Sequence, residues 1–349
     1  MAQVTRKDVL EKLSNVKYPG YSRDIISLGV VKSIKISDGY VAFRLELTTE
    51  NSTIPEKIIA ESRSILLSIE GVKDVAIEIV KPKGKQHNFK PPEIKNYLPD
   101  VKCKIAVASG KGGVGKSTVA VNLALGLART GAKVGLYDVD IYGPSMPIML
   151  GIEEPPFTDG EKVYPHEKYG IQLMSIGFLV DKSQALIWRG PMVMKAVEQL
   201  LSDVAWEEDL DFLVFDLPPG TGDAHLSLSQ LTNLSGAVIV TTPQTVALAD
   251  AIKSVNMFKK VNVPIYGIVE NMSYFLCPHC QEKSYIFDHG GAEKAAKQMD
   301  VPFLGEIPIH TSIRESCDKG IPIVSANPES PEALSFVEIA KKIMASQPK

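Results

Sequence analysis

The chain has 349 residues, 44% of them hydrophobic and 23% charged, with a formal net charge of −3. That length suits one large domain plus a small one, and the near-balanced charge excludes a global basic field for nucleic acid. No apolar run reaches the roughly eighteen residues of a transmembrane helix, "MAQVTRKDVLEKLS" lacks the apolar core of a secretory signal, and four cysteines do not suggest a disulfide framework. A cytoplasmic protein without membrane or nucleic-acid partners is expected.

The first predicted element is a helix over residues 5–13. "LGVVKSIKISDGYVAFRLEL" then reads as two strands about an Asp38-Gly39 turn, because Val41, Phe43, Leu45 and Leu47 alternate with polar neighbours. A helix over 55–69 tolerates Pro55 in its first turn, and "KDVAIEIV" is a closing strand. Helix–strand–strand–helix–strand makes a small α+β domain over 1–80. Residues 81–102, "KPKGKQHNFKPPEIKNYLPDVK", are rich in Pro and Lys without a sustained period and read as a linker; the alternative is an ordered arm across the second domain. From 103 to 349, "KIAVAS", "KVGLYDV", "DFLVFDL", "GAVIVTT", "IYGIVEN" and "PFLGEIP" are separated by helix-length segments. These βα units predict an α/β domain with a mostly parallel sheet covered by helices on both faces.

"ASGKGGVGKSTVAVNLALGL" contains Gly110-x-x-x-x-Gly115-Lys116-Ser117, a phosphate-loop pattern between an apolar strand and a long helical segment. The glycines let backbone N–H groups turn inward around phosphates, and the helix offers its positive end. The nucleotide-binding segment therefore comprises Gly110, Lys111, Gly112, Gly113, Val114, Gly115, Lys116, Ser117 and Thr118. Lys116 is assigned to the β- and γ-phosphates, and the Ser117 hydroxyl to magnesium. Lys111 is extra to the pattern and can hardly fold back onto phosphates that its own loop surrounds. It is either a solvated surface lysine or a charge offered outward to a nucleotide on a second subunit. "GKGGVGKST" resembles the deviant Walker A sequence of dimeric ATPases that include MinD, ParA, the nitrogenase iron protein, arsenite-pump ATPases and the Mrp family. That resemblance implies ATP as the nucleotide and a homodimer in which Lys111 acts across the interface.

Metal-assisted phosphoryl transfer needs carboxylates, and two strand ends supply them. "LYDVDIYGPS" gives Asp138 and Asp140, and "FLVFDLPPGTGD" gives Asp216 and Asp223. The resemblance implies that Asp140 positions or activates water and that Asp216 supports magnesium. Asp138 is either a structural cap or catalytic, and Asp223 is either a switch residue or, the preferred reading, the N-cap of the next helix. Asn271, ending "YGIVEN", falls where the ATPase group contacts adenine.

"YFLCPHCQEKSY" places Cys277 and Cys280 in a C-x-x-C turn. The chemical options are a redox pair, half a zinc site or half an iron–sulfur site. A site of four thiolates needs two chains, which the homodimer implied by Lys111 would supply; zinc and a cluster both remain open on this count. Cys103 is assigned to the central strand and Cys317 to packing or a third thiolate. His225, His279 and His289 receive no role.

"DVDIYGPSMP", "WRGPM", "DFLVFDLPPGTGD", "VENMSYFLCPHC" and "FLGEIPIHTSIRESCDKGIPIV" together resemble the Mrp (ApbC-like) family of iron–sulfur cluster carrier ATPases, over nearly all of residues 100–345. "YPGYSRDIISLGVVKSI" resembles the small domain often fused ahead of these P-loop NTPases. The resemblance implies an ATP-hydrolysing homodimer that uses Mg2+, holds a labile [4Fe–4S] cluster between paired Cys277 and Cys280, and delivers it to apo iron–sulfur proteins. It also implies a departure: Ile54 precedes Pro55 where the small domain often has a cysteine, so partner contact or regulation is assigned there. The alternatives are a MinD- or ParA-like positioning ATPase and a zinc-bridged nucleotide switch. "PEALSFVEIAKKIMASQPK" reads as a packed final helix rather than a membrane anchor.

Overall fold

The computed structural model describes residues 4–19, 24–37, 39–47, 53–80, 96–179, 190–277, 279–280 and 282–347. The chain divides into two compact units, Met1–Lys90 and Pro91–Lys349.

In the first unit, Thr5 caps α1 (Arg6–Leu13). Its hydroxyl accepts from the Asp8 N–H, and the Asp8 carboxylate accepts from the Thr5 N–H at 2.9 Å, so two otherwise orphaned donors are satisfied reciprocally. β1 (Val31–Ser37) runs antiparallel to β2 (Tyr40–Glu46), α2 (Thr53–Leu67) crosses over, and β3 (Asp74–Val80) lies parallel to β2. Val41, Phe43, Leu45 and Leu47 are all buried, packed with Val9, Leu13, Ile58 and Leu66. The period-two alternation therefore marks the face that the helices cover. Asp38, in the expected turn, lies outside the described residues.

The second unit is ordered before Cys103. Leu98 and Val101 are buried in its core, and the Lys104 ammonium, itself buried, donates to the carbonyls of Leu98 at 2.7 Å and Val101 at 3.1 Å. A linker reading through residue 102 is corrected there: a Pro- and Lys-rich composition concealed two apolar anchors and a lysine that turns inward. Residues 81–95 lie outside the described residues.

The sheet-forming elements follow in order: β4 (Cys103–Ala108), α3 (Lys116–Ala128), β5 (Val134–Asp138), α4 (Met146–Met149), β6 (His166–Lys168), β7 (Ile171–Ser175), α5 (Gly190–Asp203), β8 (Phe212–Asp216), α6 (Asp223–Leu231), β9 (Gly236–Thr241), α7 (Thr245–Lys260) and β10 (Ile265–Glu270). A small hairpin of β11 (Phe275–Leu276) and β12 (Lys283–Ser284) precedes α8 (Gly291–Gln298), β13 (Phe303–Glu306), α9 (Thr311–Asp318), α10 (Ile323–Ala326) and α11 (Pro331–Ala345). The eight-stranded sheet runs β13-β10-β9-β4-β8-β5-β7-β6, parallel throughout except for β6 against β7. β4, β5, β8 and β9 are buried at every position, as strands covered on both faces must be. One face packs on α3, α10 and α11, the other on α5, α6, α7 and α8.

Six strands match the apolar runs read from the sequence; β6 and β7 do not appear among them. They are three and five residues long and meet at a turn in which Tyr169 and Gly170 both have positive φ, too short for a periodic signal. α11 buries Ala333, Phe336, Val337 and Ile343, so the last helix is packed as expected. Among the described residues no helix is long and apolar enough to cross a membrane.

Candidate functional site

β4, β5, β8 and β10 all end on the same edge of the parallel sheet, where open α/β sheets place ligands. The chain leaves β4 and enters α3 through residues 109–115. Gly113 and Gly115 both have φ of +81°, in the left-handed region that glycine occupies without penalty. A side chain at Gly115 would strike the Asn271 amide, and one at Gly110 would strike the Asp250 backbone at the start of the loop. The glycines are thus demanded by conformation and by close approach.

Lys116, the first residue of α3, is buried. Its ammonium donates to Asp216 Oδ1 at 2.6 Å and lies 3.4 Å from Asp140 Oδ2 and 3.2 Å from Ser117 Oγ. Asp216 Oδ2 is buried without a hydrogen-bond partner among the described residues. Burial raises the Asp216 carboxyl above the usual carboxylate range while Lys116 pulls it down. Asp138 accepts from the Asp140 N–H at 3.1 Å, the Met146 N–H at 3.2 Å and the Ser175 hydroxyl at 2.9 Å. Burial, then the charge of Asp216, pushes Asp138 up to about 7. Asp138 therefore does the work of a cap, holding the turn that carries Asp140, while remaining coupled to the charged cluster.

Lys111 is exposed, and its carbonyl accepts from Ser109 Oγ at 3.0 Å. Asp223 is the first residue of α6 and Gly222 is its cap, which corrects the expected N-cap by one position; the Asp223 side chain lies outside the described residues. His225 on α6 is buried with neither ring nitrogen partnered among the described residues, and burial, then the Lys116 charge, pulls it down to about 4.

Asn271 follows β10. Its N–H donates to the Thr241 carbonyl and its side-chain amide donates to the Val114 carbonyl, each at 2.8 Å. It braces the phosphate loop and also lines a cavity of about 330 Å³ beside Gly115 and Thr118. Pro308 and Ile313 give that cavity apolar walls, and Arg314 and Asp318 stand among its lining. Sequence reasoning left these residues without a role. Their signal was positional: a loop leaving a parallel strand and opening a helix. Cys317, buried on α9 with its thiol pushed up to about 11 by burial, also lines this cavity, and Cys103 is buried in β4.

Cys277 and Cys280 lie at the tip of the β11–β12 hairpin, where Phe275 pairs with Ser284 and Leu276 with Lys283. Cys277 is half-buried and Cys280 exposed. The N–H groups of Cys280 and His279, followed by the Cys280 thiol, hold Cys277 below the usual thiol range, which favours the thiolate that metals bind. Among the described residues no group of three or more metal-binding side chains assembles in one chain; the pair offers two free thiols on an accessible tip. Pro278 lies outside the described residues.

Residues 100–344 match the family described as NUBPL iron-transfer P-loop NTPase, and residues 6–79 match the family described as iron–sulfur cluster assembly protein. The chain belongs to the NUBPL iron-transfer P-loop NTPase family. It is 43% identical over 346 residues to an iron–sulfur cluster carrier protein of Synechocystis, covering 97% of each chain. It is 54% identical over 264 residues to the iron–sulfur cluster transfer protein NUBPL of Dictyostelium discoideum, covering 75% of this chain and 81% of that one. Among solved structures it resembles a nucleotide-binding protein of Archaeoglobus fulgidus in complex with ADP, with TM-score 0.60 and 38% identity over 70% of this chain and 96% of that one. In this iron-transfer NTPase the phosphate loop, the carboxylate pair at the ends of β5 and β8, and the cysteine hairpin all belong to the second unit.

Proposed function

We propose that the protein is an ATP-hydrolysing carrier, active as a cytoplasmic homodimer, that holds a [4Fe–4S] cluster between the Cys277–Cys280 pairs of two copies and delivers it to apo-proteins. The observation that carries this reading is the accessible hairpin tip: two thiolates in a chain whose relatives are named carriers, where a cluster takes four.

The rest of the site fits a nucleotide and magnesium. The left-handed glycines and the start of α3 suit phosphates, and the mainly apolar cavity beside Thr118 suits a base. Asp216 Oδ2, buried and unpartnered next to Lys116 and Ser117, suits a magnesium ion or the water it carries. Magnesium, when bound, neutralises charge on the β- and γ-phosphates. Lys116 then exchanges its carboxylate partners for phosphate oxygens. Asp140, freed from that pairing but held by Asp138, orients the attacking water. Lys111 supplies positive charge to the partner's nucleotide.

The test is anaerobic reconstitution with iron and sulfide, followed by metal, sulfide and absorption measurements beside a Cys277→Ala/Cys280→Ala variant. The expected result is about four iron and four sulfide per dimer, lost in the variant. Tightly held zinc that iron does not displace, or no bound metal, would overturn the cluster reading.

A further inference from the structure

The cysteines hang from β10, whereas Asp216 ends β8, and in the sheet these strands are separated by β9 and β4. Two strands therefore separate the carboxylates at the γ-phosphate end from the hairpin, and the phosphate loop meets the hairpin segment only through Asn271 and Met272 beside Val114 and Gly115 among the described residues. The nucleoside end lies nearer along the chain. Asn271 and Met272 line the cavity, and the same segment runs on to Cys277 within five residues.

That segment is tied along its length to the opposite cavity wall. The Ser273 N–H donates to the Ile307 carbonyl at 3.0 Å, the Ile309 N–H donates to the Tyr274 carbonyl at 2.7 Å, and Phe275 bridges Ile309 in parallel. Pro308, Ile309 and His310, in that wall, line the cavity themselves. At its root the Ser273 hydroxyl donates to Glu270 Oε1 at 2.6 Å, and Glu270 Oε2 accepts from the Ala292 N–H of α8 at 2.8 Å. At its far end the Cys277 N–H donates to the Glu282 carbonyl at 3.0 Å, beyond the β11–β12 pairing. An unbroken run of backbone hydrogen bonds thus joins the wall of the nucleoside cavity to the first cysteine. A nucleoside that seats between Asn271 and the 308–310 loop touches both of the strands that carry this run.

We propose that occupancy of the nucleoside cavity, rather than of the γ-phosphate position, sets the exposure and geometry of Cys277 and Cys280. ADP alone then changes how the pair holds its cargo, and by linkage the loaded pair changes the affinity for ADP by the same factor. This rests on the nucleotide and cargo roles proposed above.

The experiment measures alkylation of Cys277 and Cys280 by peptide mass spectrometry, which separates them from Cys317 on the cavity wall. The full chain is labelled alone, with Mg-ADP, and with magnesium tripolyphosphate, and nucleotide binding is followed in parallel by calorimetry. The expected result is a change of roughly fivefold or more with ADP and none with tripolyphosphate, the lower end of an ordinary coupling. In Ser273→Ala, which removes the root contact without touching the cavity lining, the ADP effect should shrink while ADP affinity holds. ADP affinity of the reconstituted chain should differ from that of the cluster-free chain. Equal effects of ADP and tripolyphosphate, or no effect despite ADP binding, would overturn the inference and leave the proposed function standing. Failure to bind ADP at all would overturn both.

Discussion

Asp138, Asp140, Asp216 and Lys116 crowd one strand edge, where Asp140 and Asp216 share the Lys116 ammonium and Asp138 feels the charge of Asp216. Asp138 and the nearby His225 accept the arrangement at a cost that pH exposes. Asp138 is held at about 7 in the folded chain but titrates near 4 when unfolded. Between those values the folded state keeps a proton that the unfolded state gives up, so this group's contribution to stability falls as pH rises from about 4 to about 7. His225 works in the opposite direction: folded near 4 and unfolded near 6.5, it contributes stability that is lost as pH falls through that window. The two partly offset, and the net profile of the parent chain conceals both. Asp138→Asn separates them. In urea unfolding of the nucleotide-free chain, the stability of the variant relative to the parent should improve steadily from pH 5 to pH 7. A difference that stays flat would mean that Asp138 is ionised throughout.

At the scale of elements, the strands that position this chemistry were the most legible part of the sequence, because a strand buried on both faces reads as an unbroken apolar run. Glycine at the left-handed turns and lysine at the head of α3 were equally plain, since only those residue types meet the geometry. What stayed hidden depended on partners distant in sequence. The cavity wall forms only when the loop after β13 meets Asn271. The hairpin under the cysteines has strands of two residues, below any periodic signal. The arm before β4 looked like a linker because its anchors are single residues, Leu98 and Val101, tied down by Lys104. That arm gives a prediction of its own. Lys104→Met keeps the apolar stem but removes the donor to two buried carbonyls, at a cost of about 1–3 kcal/mol. Hydrogen exchange of residues 97–102 should quicken by about tenfold or more, while β4 remains protected. Unchanged exchange over 97–102 would show that apolar packing alone holds the arm.

At the scale of the whole molecule, two features bear on the homodimer proposed above. The cysteine tip has half the thiols that a cluster takes, and Lys111 is exposed while the other lysine of its loop is buried against Asp216. A symmetric pair of chains resolves both with one operation. The lysine can be tested without seeing the dimer. Lys111→Ala should bind ADP with parental affinity and hydrolyse ATP at background rate, because its loop and Lys116 are intact. Asp140→Asn should also fail, for want of the group that orients water. Mixed after unfolding and refolding together, these two inactive variants form some dimers with one chain of each kind. In such a dimer the site on the Lys111→Ala chain has its own Asp140 and receives Lys111 from its neighbour. Random pairing restores one site in two, in half of the dimers, so the mixture should recover about a quarter of the parental rate. A lysine acting within its own chain gives no recovery, because every site then lacks one of the two groups.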